Sequence, residues 1–81
     1  MTTVGKRLEK MRNNPQDWRI EDVLAVAREY DLEIRSHGGS HYIFSHTDID
    51  FHVSIPAHRP IKPVYIKDFV KFIDTIKERV K

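Results

Sequence analysis

Residues Gly38 to His46 read GGSHYIFSH. A glycine pair gives the backbone freedom to turn tightly, and Tyr42-Ile43-Phe44 is rich in residues that suit a pleated sheet, so the stretch predicts a turn that opens into a strand. Because that run is apolar on both faces, its inward side is left open. Ser40 and His41 fall at the junction, which puts a hydroxyl and an imidazole at the mouth of the strand.

The pattern on either side extends this strand into a sheet. Upstream, Leu32 and Ile34 alternate with Glu33 and Arg35, a short half-buried strand that Ser36-His37-Gly38-Gly39 is expected to turn. Downstream, Thr47-Asp48-Ile49-Asp50 reads as the turn of a hairpin. Phe51, Val53 and Ile55 then alternate with His52 and Ser54 until Pro56 ends the strand. Three short antiparallel strands result.

Helices flank them. Val4, Leu8 and Met11 recur at helical spacing over Thr3 to Met11, and Asn13-Asn14-Pro15 stops that helix, because proline cannot donate to the ladder. Ile20, Val23, Leu24 and Ala27 mark a second helix ending near Tyr30 or Asp31, with Glu21 and Asp22 at its positive end. Ala57 to Pro63, with Pro60 and Pro63 around Lys62, reads as an ordered loop. A last helix aligns Ile66, Phe69, Val70, Ile73, Ile76 and Val80 on one face and Lys67, Lys71, Asp74 and Lys81 on the other. The order is helix, helix, three strands, helix, and its simplest packing is a two-layer α+β fold with two helices over one sheet face.

The chain has 81 residues, enough for one core, so residues 1–81 read as a single domain in which 1–14 form an N-terminal helical extension. It has no cysteine, which excludes disulfides and thiolate metal sites and fits a reducing cytoplasm. No apolar run approaches the roughly 20 residues of a membrane span, so no membrane role is expected. A net charge of +2 is compatible with a polyanionic partner without requiring one.

All five histidines, at 37, 41, 46, 52 and 58, fall in the strand and loop region. Imidazole can accept and donate a proton near neutral pH. His41 stands out, since Gly38 and Gly39 permit a ligand's close approach, Ser40 adds a hydroxyl and the run after it anchors the position. Against RNA, such an imidazole can take the proton of a ribose 2′-OH or protonate the leaving oxygen without a metal or other cofactor. Lys62, Lys67 and Lys71 are the cations available to steady the phosphate, and His58 sits on the rim of the same loop. The competing reading is a strand-end histidine bonded to backbone. The glycines between His37 and His41 argue against a helical metal pair, although five histidines with Asp48 and Asp50 leave a site assembled in three dimensions open. Trp18, Phe44 and Phe51 suit the core as well as base stacking.

Gly39-Ser40-His41, the strand after it, Val53 to His58 and Lys62-Pro63, taken in order with MRNNPQDWRIEDVLAVAREYDLEI at 11–34, resemble the HicA family of toxins from type II toxin-antitoxin systems. The resemblance spans nearly the whole chain. It implies a fold like the double-stranded-RNA-binding domain, α-β-β-β-α, with one added N-terminal helix. It implies a metal-independent endoribonuclease, an mRNA interferase that cleaves transcripts and arrests translation, with His41 as its catalytic residue. It also implies a HicB-type antitoxin as partner. The alternative is a module of the same fold that holds RNA or a protein without cutting.

Overall fold

The computed structural model of the chain describes residues 5–57 and 60–79. Its elements are α1 (Lys6–Asn13), α2 (Ile20–Glu29), β1 (Glu33–His37), β2 (His41–His46), β3 (Ile49–Pro56) and α3 (Pro63–Arg79). The strands form one antiparallel sheet in the order β1-β2-β3. Expectations that involve Thr3, Val4, His58, Val80 and Lys81 lie outside the described residues.

Three helix boundaries have a clear local cause. The backbone N–H of Arg19 donates to the Asp22 carboxylate at 3.2 Å, one half of a capping box at the start of α2. At its other end Asp31 adopts a left-handed φ of 59°, while Leu32 N–H donates to the Ala27 carbonyl at 2.9 Å and Asp31 N–H to that of Arg28 at 3.3 Å. This is a Schellman closure with aspartate where glycine is usual, and Leu32 is buried beyond it. Pro63, expected as the end of a loop, is instead the first residue of α3, where its missing N–H costs nothing.

The strand ends depart from the sequence reading. Ser36 and His37, expected in a turn, belong to β1, because Gly38 and Gly39 take left-handed φ of 63° and 77° and reverse the chain by themselves. Ile49 and Asp50, also expected in a turn, begin β3, and burial of Ile49 holds that end in the sheet.

Phe44 settles the inward face of β2. It is fully buried and meets Phe69 of α3 edge to face, with ring centroids 5.4 Å apart. Its cross-strand neighbours Ile34 and Val53 pack on the same side with Tyr42 and Ile55. The alternate positions, Glu33 and Arg35 on β1, His41, Ile43 and Ser45 on β2 and Ser54 on β3, therefore share the opposite face, as the Ser45 hydroxyl bonded to Glu33 at 3.3 Å illustrates. On the packed side α2 lies against β1 and α3 against β3, while α1 packs on α2 and α3 through buried Leu8 and Met11. The polar margin expected for α3 is narrower than the sequence suggests, since Phe72 is fully buried and Asp74 is paired with Arg12 of α1.

Candidate functional site

His41 is the first residue of β2 and is exposed. Three features fix its position. The glycine turn brings the chain into the strand, with open space where a Cβ at either glycine would point. The Ser40 carbonyl accepts the Ala57 N–H at 2.8 Å, which pins the turn to the end of β3. Three residues on, Phe44 anchors the strand in the core.

The imidazole Nδ1 lies 3.4 Å from the Ser40 hydroxyl, a long hydrogen bond. No other bond to the ring occurs among the described residues, so Nε2 is available to a ligand. The cross-strand partners of His41 are His37 on β1 and Pro56 on β3. Arg35 is two residues from His37 on the outward face, which makes it a diagonal neighbour of His41 at roughly 7–8 Å between side-chain bases. Ser54 holds the equivalent diagonal on β3. Arg35 is exposed and forms no ion pair among the described residues.

The sequence reading passed over Arg35 as a phosphate cation. Its signal was the two-residue alternation of β1, which becomes informative only once the register pairs that strand with β2. The lysines chosen instead stand elsewhere. Lys67 and Lys71, one turn apart, share a cleft of about 360 Å³ with Met11, Arg12 and Asp74. Lys71 also borders a groove of about 500 Å³ between β3 and α3, beside Phe51, His52, Tyr65 and Asp68. Lys62 lines a third hollow with Gln16, Asp17 and Pro60. His41 lines none of these three cavities. Gly39 and Ser40 are adjacent to it in the turn, and His58 lies outside the described residues.

The remaining histidines divide by environment. His46 is only 13% exposed, and its Nδ1 accepts the Asp48 N–H at 3.1 Å, so it closes the β2–β3 turn. His52 is exposed in the β3–α3 groove. Among the described residues no three His, Asp or Glu side chains gather as a metal-ligand set. Phe44 is core, and Phe51, half exposed, rests edge to face on Phe72 at 5.5 Å. Trp18 is partly buried, and its carbonyl accepts the Ile61 N–H at 2.9 Å, joining the α1–α2 connector to the segment before α3.

Chemically, this part of the outward sheet face offers the exposed His41 imidazole, a hydroxyl against its Nδ1 and a guanidinium on the neighbouring strand, all open to a large ligand. No described helix is long and apolar enough to cross a membrane. Comparison of the chain with family models, curated proteins and solved structures gives no match.

Proposed function

We propose that this chain is a HicA-type toxin, a metal-independent endoribonuclease of the cytoplasm that cleaves mRNA and is held in check by a HicB-type antitoxin. On this reading α2, the three strands and α3 make up the α-β-β-β-α unit of a domain like those that bind double-stranded RNA, and α1 is the N-terminal addition. The observation that supports it is the setting of His41: an exposed imidazole on a strand locked by Phe44, entered through two left-handed glycines, with Arg35 diagonal to it.

The chemistry follows from those groups. His41 Nε2 takes the proton of a ribose 2′-OH as that oxygen attacks the adjacent phosphorus. The bond from phosphorus to the 5′-oxygen breaks, leaving a 2′,3′-cyclic phosphate, and the departing oxygen is protonated by solvent. Arg35 balances the charge on the phosphoryl oxygens, and guanidinium geometry suits a phosphate. The Ser40 hydroxyl orients the ring through Nδ1. An open site is what a long polymer needs, since a phosphodiester within a chain cannot enter a closed pocket.

The test is cleavage of single-stranded RNA in excess chelator by wild type and by His41→Ala. Products from wild type alone support the reading, whereas equal cleavage by a folded His41→Ala protein ends it. A second reading, a module that holds RNA or protein without cutting, draws on the separation of Lys62, Lys67 and Lys71 from His41. It is selected if wild type binds RNA and yields no product.

A further inference from the structure

We infer that a notch on α1, distinct from the His41 face, is a docking site for a single-stranded RNA segment, with Lys6 and Lys10 on its phosphates and Trp18 against a base. The notch holds about 390 Å³ and is lined by Lys6, Arg7, Lys10, Trp18 and Glu29. Three cations against one carboxylate leave it with two net positive charges. Arg7 Nη1 stands 3.7 Å from Glu29 Oε2, so those two largely offset each other. Lys6 and Lys10 are exposed, one helical turn apart on one face, and form no ion pair among the described residues. Two neighbouring free ammonium groups fit a ligand whose anionic groups repeat along a chain.

The apolar wall narrows the ligand class. Trp18 donates its indole N–H to the Asn14 carbonyl at 2.6 Å, which fixes the ring and spends its only donor inside the protein. What it offers the notch is aromatic surface. A bare phosphate gains nothing from that surface, whereas a nucleotide strand pairs each phosphate with a flat base that stacks on it. Glu29 Oε1 is buried with no hydrogen-bond partner among the described residues, so it can accept from an N–H or O–H group of a base or ribose. The choice of RNA over DNA rests on the reading proposed above.

Trp18 is the only tryptophan in the chain, so its fluorescence reports directly on the notch. The experiment titrates full-length His41→Ala protein with a ten-nucleotide oligouridine at several salt concentrations, beside the same protein carrying Lys6→Gln and Lys10→Gln. The expected result is saturable quenching that weakens with salt, with affinity at least about tenfold lower in the triple variant. The salt slope should fall by roughly 1.4, the share of two phosphate contacts on a single strand. Quenching of equal affinity and slope in both proteins overturns the inference, as does equally strong quenching by polyglutamate. The readout is binding by a protein with His41 removed, so a wild type that fails to cleave counts against the ribonuclease reading alone.

Discussion

The guanidinium of Arg12 and the carboxylate of Asp74 meet two-pronged, Nη1 to Oδ2 at 2.6 Å and Nη2 to Oδ1 at 2.8 Å, across 62 residues of sequence. The pair fastens α1 to α3. Arg12 also reaches Glu9 through Nε at 3.2 Å, so one guanidinium serves both carboxylates. Hydrogen bonding from Arg12 holds the Asp74 carboxyl below its ordinary value, with the charge of Arg12 adding to the effect and partial burial opposing it.

A pH dependence with a definite sign follows. Asp74 binds its proton less readily in the folded chain, so its contribution to stability is fully present above the unfolded carboxylate value of about 3.9 and is lost as pH falls through the lowered folded value. Urea unfolding should therefore show wild type losing more stability than Asp74→Asn between about pH 5 and about pH 2.5. At neutral pH the substitution should cost about 1 kcal/mol or less, because both side chains are more than a third exposed. Parallel acid profiles for the two proteins would contradict this account.

The closure of α2 yields a stabilising change. Asp31 holds a left-handed φ of 59° that glycine adopts without steric cost. Asp31→Gly is expected to raise the unfolding free energy by about 0.5–1 kcal/mol, partly offset by the greater freedom of glycine in the unfolded chain. Thermal unfolding checks it, and a lowered midpoint would show that the aspartate side chain contributes more than its backbone costs.

The half-exposed aromatic of β3 should behave differently from the buried one of β2. Phe44→Ala removes a fully buried ring in contact with Phe69 and should cost about 3–5 kcal/mol, enough to unfold much of a small domain. Phe51→Ala removes a ring that is half exposed and should cost about 1 kcal/mol, although its centroid is equally close to Phe72. Chemical denaturation of both variants measures the contrast, and similar losses would mean that β2 is not the strand anchored in the core.

These aromatics also mark what was legible in the sequence. The periodicities of α2, β3 and α3 identify those elements, because burial of one face constrains the sequence locally. Phe72 and Val26 escape the stripe reading, since each helix is wrapped by more than one neighbour and its buried arc is wider than one stripe. The extents of β1 and β3 were misjudged where a turn needed fewer residues than its composition offered. Contacts between distant segments, such as Arg12 with Asp74 and Trp18 with Ile61, leave no local pattern at all. The site divides along the same line: His41 was visible from its glycines, but Arg35 became its neighbour only through the pairing of β1 with β2.

Arg35 can be separated from the lysines by rate. Arg35→Gln should lower RNA cleavage by about tenfold to hundredfold with the fold intact, less than a donor in a closed oxyanion hole because solvent screens the site. Lys67→Gln and Lys71→Gln, whose clefts exclude His41, should lower it less. A larger loss at Lys71 would move the phosphate to the β3–α3 groove.

The measurement that bears most directly on the central claim is the cleavage rate of single-stranded RNA by purified wild type and His41→Ala, each in excess chelator, with unfolding midpoints recorded on the same samples. Wild type should cut, and His41→Ala should lose about a hundredfold or more while its midpoint stays unchanged, because the side chain is exposed and outside the core. A His41→Ala protein that is folded and cuts at the wild-type rate would contradict the account.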